Sequence, residues 1–329
     1  MKKLKTIIYN FALKLMTMPL FIKPLIKIFS LLAWSKKGSN LCLKEGKFLA
    51  IPVHFYSPIP DINDLEERKI WDIKSSLKGI NFQNEQQLYL LKDLGKKFAT
   101  ECHFPPHPTQ NSIDFYTENN SFSYGCGAIL HCMIRNFNPK KIIEIGSGMS
   151  SRVISRAIKM NRQEDNPVEY IIIDPYPSEI TKNSLKGISK LIESRVELQD
   201  LSLFEQLKQN DILFIDSSHS VKIGSDVNFL FLEVIPSLSP GVIIHIHDIA
   251  LPYEYGKAYA TDESIRQFWT EQYLLQSFLC YNNQFEILLA LHYLQSECFE
   301  DFKKAFAPAY NPHFHKLTSG SFWIRRKIG

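Results

Sequence analysis

At 329 residues, with 45% hydrophobic and 22% charged side chains, the chain has ordinary globular composition and can bury a full α/β core with room for an appendage. A net charge of +4, with no basic stripe interleaved with aromatics, argues against a nucleic-acid binder. Six scattered cysteines (Cys42, Cys102, Cys126, Cys132, Cys280, Cys298) contain no CxxC pair, which argues against a disulfide framework or zinc knuckle and suits a reducing cytoplasm.

The charge is uneven. Residues 1–43 hold eight lysines and no acid, so the remainder is net negative. Over residues 1–18 the apolar positions Leu4, Ile7, Ile8, Phe11, Leu15 and Met18 fall at helical spacing, with Lys2, Lys5, Thr6 and Asn10 mostly opposite. Pro19 and Pro24 are expected to break any single helix, and a second apolar run, Leu25 to Trp34, carries Lys27 inside it. No uncharged stretch is long enough to span a bilayer. A signal peptide would share the basic start and apolar run, but Lys14 interrupts the core and no clean small-x-small cleavage site follows. Two readings of the arm stand level: a basic amphipathic contact with an anionic membrane at its cytoplasmic face, or an arm packed on its own domain. The expected organisation is this arm over 1–43, a helical and loop extension over 44–110, and a main domain over 111–329.

In the extension, His54 to Arg68 reads as a loop and then a short helix. Asn84 to Ala99 reads as a helix through Leu88, Leu91, Leu94 and Phe98, interrupted by Gly95, and Phe104 to Pro108 is a rigid connector. Tyr116, Phe122 and Tyr124 crowd an Asn-rich loop, as the wall of a ligand site or as core, before a helix from about Gly125 to Phe137 that Pro139 ends.

The organising stretch follows: KIIEIGSGM, Lys141 to Met149. A buried strand over 142–145 runs into a turn with Gly146 and Gly148, and a helix starts at about Ser150, with Ser150 and Ser151 available to cap it. Glycines let a ligand approach the backbone, and free helix N–H groups offer donors. Glu144 sits at the end of an otherwise apolar strand, where a charge needs a partner, expected in the crevice. A second strand, Tyr170 to Ile173, ends in Asp174, placed to take two ribose hydroxyls. Alternation then continues: helix Ser178 to Leu191, strand Val196 to Leu198, helix Ser202 to Lys208, strand 212–215 ending in Asp216, helix Ser225 to Ile235 stopped by Pro236, strand Val242 to Ile246 ending in His247 and Asp248, helix Glu263 to Leu279, strand Phe285 to His292, and strand Ser321 to Lys327. This order predicts a Rossmann-like, mostly parallel sheet with helices on both faces and an antiparallel edge.

Four strand ends thus carry Glu144, Asp174, Asp216 and the pair His247–Asp248 into one crevice. His219 shares a loop with Asp216, and strand alternation puts His245 and His247 on one face. Carboxylates with imidazole suit an octahedral cation such as Mg, Mn or Fe(II), with Asp216, His247 and Asp248 as the ligand set. They equally suit a general base without metal, and one of the three histidines is expected to be structural. Asp216, His219, His247 and Asp248 are the expected catalytic group. On glycines alone, a nicotinamide-dependent oxidoreductase is the rival, but Ser151 stands where its third glycine belongs. A non-catalytic binding protein held by its basic arm is a further alternative.

The order E-x-G-x-G, then Asp174, then FIDSSH (214–219) and PGVIIHIHDIALPYEY (240–255) resembles a class I S-adenosylmethionine-dependent methyltransferase. More narrowly it resembles the bacterial family with the iDssH and HDIflPyeYp signatures. SFSYG at 121–125 and the closing SFWIRR extend the resemblance to roughly residues 50–329. It implies a seven-stranded sheet with an antiparallel final strand. It implies that Glu144, Gly146, Ser147 and Gly148 contact the methionine part of the cofactor, that Asp174 takes the ribose, and that the turn Gln199–Asp200–Leu201 flanks the adenine; Asp216 closes the cofactor set. Catechol-type O-methyltransferases resemble this chain in placing metal ligands at positions matching Asp216 and His247–Asp248, with His247 a departure from their usual carboxylate. For such an enzyme the histidines of the crevice favour O-methylation of a hydroxylated small molecule or glycan, since a hydroxyl acceptor needs a base or a metal and a neutral amine has less need of either.

Overall fold

The structure, a computed structural model, describes residues 14, 18–46, 48–49, 51–110, 113–262, 266–313, 315 and 319–328. The chain divides into two compact units, Met1–Ile70 and Trp71–Gly329, and the division falls inside the stretch expected as an extension.

In the first unit the helix over residues 1–18 lies almost wholly outside the described residues. Helix Pro19–Trp34 runs through Pro24 instead of breaking there. Pro24 sits in the second turn, where its missing N–H removes one backbone bond and the apolar run on either side keeps the helix going. Helix Lys36–Gly46 follows, and Ile62–Glu67 is capped by Asp61, whose carboxylate accepts from Asn63 N at 3.0 Å.

The second unit is built on seven strands: β1 Lys141–Ile145, β2 Glu169–Ile173, β3 Lys190–Ile192, β4 Ile212–Ile215, β5 Ile243–Ile246, β6 Phe285–Ala290 and β7 Phe322–Arg326. Their order is β3-β2-β1-β4-β5-β7-β6, and only β7 runs antiparallel to its neighbours. The sheet is apolar on both faces, as parallel strands covered by helices must be. Ile142, Tyr170, Ile172, Ile212 and Phe214 face helices Asn84–Phe98, Tyr124–Phe137 and Met149–Gln163. Ile143, Ile171, Ile173, Leu213 and Ile244 face the helical run that begins at Asp226. Gly95 interrupts the first of these helices for a packing reason: a Cβ there would lie 2.2 Å from the carbonyl oxygen of Ala305, in helix Phe299–Phe306.

Several boundaries differ from expectation. The third strand is Lys190–Ile192, and Val196–Leu198 is a 3-10 turn. The helix expected to reach Leu191 stops at Asn183. The helical run past Asp226 passes Pro236 by way of a π turn, Leu230–Val234, and ends at Ser237. Helix Glu271–Leu279 starts later than expected, residues 263–265 lying outside the described set. β6 stops at Ala290, and helix Leu291–Glu297 takes over.

Candidate active site

The turn after β1 is held by backbone on both sides. Gly146 N donates to Ile173 O at 3.0 Å, and Asp216 N donates to Ile145 O at 3.0 Å. Gly146 has φ +79°, and a Cβ on it would lie 2.1 Å from the Asp216 carbonyl oxygen, so only glycine fits. Gly148 opens helix Met149–Gln163, and a Cβ there would meet nothing within 4 Å. The space above Gly148, at a fifteen-residue helix's N-terminus, is where a ligand's polar end can reach the backbone.

Glu144 finds its partners within the protein and not in the crevice. It is fully buried, accepts from Ser150 Oγ at 2.7 Å and Ser151 Oγ at 2.9 Å, and is bonded to the Tyr170 hydroxyl. Burial pushes its carboxyl up to about 7 against the pull of those three donors. The two serines therefore tie the helix to the strand, and Ser151 Oγ also accepts from Gly148 N at 3.0 Å. Asp174, at the tip of β2, accepts from Ser147 Oγ at 2.5 Å and Tyr176 N at 2.7 Å, which pins it beside the glycine turn. Asp200 is exposed and accepts from Ser202 N at 2.8 Å, well beyond the end of β3.

The second half of the site gathers at the ends of β4 and β5. His219 Nδ1 lies 2.8 Å from Glu271 Oε2, and its Nε2 lies 3.3 Å from Asp216 Oδ1 and 3.5 Å from Asp248 Oδ2. The His219 carbonyl accepts from both Thr270 N and Glu271 N, so the loop and the helix start are stitched together. His247 Nδ1 lies 3.4 Å from Asp248 Oδ1 and 3.6 Å from Asp216 Oδ1, and its Nε2 faces Cys126 Sγ at 3.5 Å. Burial opposes the charge on both imidazoles, but the carboxylates win. His219 is raised to about 10 by Asp216 and Glu271, and His247 is held well above the usual histidine range by Asp248 and Asp216. Burial would raise Asp216, yet His247 and His219 hold it far below the ordinary carboxylate range. Burial likewise opposes ionisation of Cys126, and His247 brings its thiol down to about 7.

Donor atoms of Asp216, His219 and Asp248 all lie within 4.8 Å of one another. His219 joins the two aspartates in this group, and the expected ligand His247 lies beside it, its Nδ1 facing the same two carboxylates and its Nε2 turned to Cys126. His245 is on the same face but fully buried, stacked on Phe214 at 3.9 Å and bonded to Ser321 Oγ at 3.0 Å, with no route to a ligand.

Beside this cluster opens a cavity of about 510 Å³, in the size range of small-molecule sites. Its lining includes His247 and Asp248, Phe122 and Asn119, and the aromatics Tyr255, Tyr259 and Trp269. The aromatic loop is therefore divided: Phe122 lines the cavity and stacks on His247 at 4.9 Å, whereas Tyr124 is core, stacked on His315 at 4.0 Å. Glu271, Cys126, Tyr259 and Trp269 were not anticipated. The density of aromatics between Tyr253 and Tyr273 was the available signal for the last two.

Comparison with known proteins agrees with this arrangement. The family described as "Methyltransferase domain" matches residues 143–249, from β1 to just past β5. An uncharacterised protein of Archaeoglobus fulgidus is 32% identical over 201 residues, which is 59% of this chain and 88% of that protein. Two solved structures are also similar. One, described as cmcI-N160 SAH, is 16% identical, covering 62% of this chain and 77% of that chain at a TM-score of 0.36. The other, a putative methyltransferase from Thermobifida fusca YX, is 14% identical, covering 77% of this chain and 97% of that chain at a TM-score of 0.36. At those scores the fold rests on the strand order itself. Residues 143–249 therefore form a methyltransferase domain, and the strand order around it is that of the class I S-adenosylmethionine-dependent methyltransferase fold. That assignment replaces the oxidoreductase alternative.

Proposed function

We propose that the chain methylates a hydroxyl oxygen of a neutral small molecule or glycan, with a divalent cation (Mg, Mn or Fe) held by Asp216, His219 and Asp248. The observation that carries the reading is the pairing of His219 Nδ1 with Glu271, which leaves Nε2 aimed at two carboxylates. A carboxylate behind an imidazole is the usual support for a metal-binding nitrogen. S-adenosylmethionine supplies a methyl group already activated on a sulfonium, so the protein's task is alignment and removal of the acceptor proton.

The cradle residues fit that cofactor: Gly146, Ser147 and Gly148 at the helix start, Asp174 for the ribose, and Asp200 toward the adenine, with Glu144 fixing the turn from behind. Asp216 belongs to both halves, its carbonyl packed on Gly146 and its carboxylate facing His219. The surrounding carboxylates raise both His219 and His247, which works against either as a metal-free base. A cation would displace the His219 proton and take the place of its charge between Asp216 and Asp248. A cation bound there lowers the pKa of a coordinated hydroxyl. The cavity lining includes no lysine or arginine among the described residues, which disfavours phosphate or carboxylate acceptors. Trp269 and Tyr259, with ring centroids 4.3 Å apart and planes tilted by 37°, give an aromatic wall for a sugar or phenol ring. On this reading the basic arm contacts an acidic surface from the cytoplasmic side.

The test is calorimetry of Mn²⁺ on the purified chain, with Asp216→Asn and Asp248→Asn as comparisons, and methyl transfer to hydroxylated acceptors with and without chelator. Metal binding lost in both variants and turnover abolished by chelator are expected. Turnover indifferent to chelator would remove the cation and return the role to His247.

A further inference from the structure

We propose that the first unit rests on an anionic lipid surface through helix Pro19–Trp34, which lies in the interface plane. The argument is independent of the methyl acceptor and of the cation. Leu20, Ile26, Ile28, Phe29, Leu31 and Trp34 are all exposed, at 79% for Leu20, 72% for Leu31 and 65% for Trp34. On a helical projection these side chains spread over most of the circumference, and Lys23, Lys27 and Ser30 form the polar stripe. A helix apolar on nearly every side is not stable facing water and needs an apolar cover.

Charge selects the cover. No acidic residue occurs before Glu45, and nine lysines precede it. A protein groove could bury the apolar side chains, but lysines on a surface so free of acid are matched best by acidic headgroups. Spanning is excluded for this helix: sixteen residues give about 24 Å against a hydrocarbon core of about 30 Å. No helix among the described residues is long and apolar enough to cross a membrane. Lys23 and Lys27, one turn apart, can extend along their stems to the headgroups while the apolar side chains enter the acyl boundary. Trp34, at the helix's C-terminal end, has the amphipathic ring that settles at headgroup level. The next helix, Lys36–Gly46, continues the pattern with Leu41 and Leu43 exposed beside Lys36, Lys37 and Lys44.

The experiment is co-sedimentation of the full chain with vesicles of phosphatidylcholine alone or mixed with phosphatidylglycerol, at low and raised salt. Binding about tenfold or more tighter to the anionic vesicles, and weakened by salt, is expected. Lys23→Glu with Lys27→Glu should abolish the preference for anionic lipid, and Ile26→Glu with Phe29→Glu should abolish binding to either vesicle. Both double variants should keep the wild-type melting temperature and S-adenosylhomocysteine affinity, which reports on the catalytic unit separately. Equal partition onto neutral and anionic vesicles, or no binding to either, overturns the proposal. So does a fall in melting temperature, or a concentration-dependent dimer lost in Ile26→Glu with Phe29→Glu, since the cover is then the chain itself or a second copy.

Discussion

Glu271 Oε2 lies 2.8 Å from His219 Nδ1, while the other nitrogen of the same ring lies 3.3 Å from Asp216. A fully buried carboxylate at the first position of helix Glu271–Leu279 therefore fixes the direction of a side chain on the β4 loop. Glu271→Gln keeps the shape and removes the charge. It should weaken Mn²⁺ binding by roughly 10–100-fold, as loss of such supporting carboxylates does, and leave S-adenosylhomocysteine affinity unchanged. Calorimetry of both ligands on one preparation separates these outcomes; unchanged metal affinity would remove Glu271 from the site.

Two glycines in one turn should fail differently. Gly146→Ala places a Cβ against the Asp216 carbonyl at a positive φ, and should cost about 2–4 kcal/mol of stability. Gly148→Ala points its methyl into open space, so its main effect should be on the cofactor, weakening S-adenosylhomocysteine by about tenfold or more, or about 1.4 kcal/mol. Melting curves and titrations on both variants check this. A Gly148→Ala protein with full affinity would place the cofactor elsewhere.

Asp174→Ala should weaken S-adenosylhomocysteine by about 1.5–3 kcal/mol, the usual worth of hydrogen bonds to a charged group. Asp174 already holds Ser147 Oγ and Tyr176 N, so part of the loss would come from the loosened turn. Ser147→Ala isolates that part, and its titration should show a smaller loss than Asp174→Ala.

The sheet was legible where strands are buried on both faces, since Tyr170–Ile173 and Ile212–Ile215 read as continuous apolar runs and Ile142–Ile145 as one broken only by Glu144. β3 was not, because an edge strand of three partly exposed residues carries no such run, while Val196-Glu197-Leu198 alternates like a strand without pairing as one. At the site, strand-end acids announced themselves because a charge closing an apolar run is conspicuous. Glu271 did not, because an acid in the first turn of a helix is ordinary, and only the tertiary fold buries it against His219. Glu144 was visible, but its partners were not: Ser150 and Ser151 suggested helix caps, and Tyr170 lies on the neighbouring strand.

Glu144 also predicts a pH dependence. Its carboxyl titrates near 7 in the folded, cofactor-free chain and near 4.3 when unfolded. Between those values the native state holds a proton that the unfolded chain has lost, so this group's contribution is full below about pH 4.3 and falls as pH rises to 7. The loss is about 3 kcal/mol across the window at the order-of-magnitude level. Glu144→Gln cannot titrate, so the difference in stability between it and the wild type should slope over this window and level off above it. Urea unfolding at a series of pH values measures that difference; parallel curves would mean that Glu144 is charged in the native state throughout.

His245 and His247 stand two residues apart on β5 and its end, facing the same side, and should differ in kind. His245 is packed between Phe214 at 3.9 Å and Trp323 at 4.6 Å and bonded to Ser321, all within the core. His247 borders the acceptor cavity and lies within 3.6 Å of both cluster aspartates. His245→Gln should therefore lower stability by about 1–3 kcal/mol, the cost of disturbing a buried hydrogen-bonded group, and leave turnover of the folded fraction near wild type. His247→Ala should keep most of the stability and the cofactor affinity, and where turnover is indifferent to chelator it should lower turnover by roughly 100-fold or more, the loss expected of a general base. Once an acceptor has been found, turnover per folded molecule decides between them. A His247→Ala enzyme that turns over normally would take the catalytic role from this imidazole, and a His245→Gln enzyme that melts like wild type but is inactive would give the role to its neighbour.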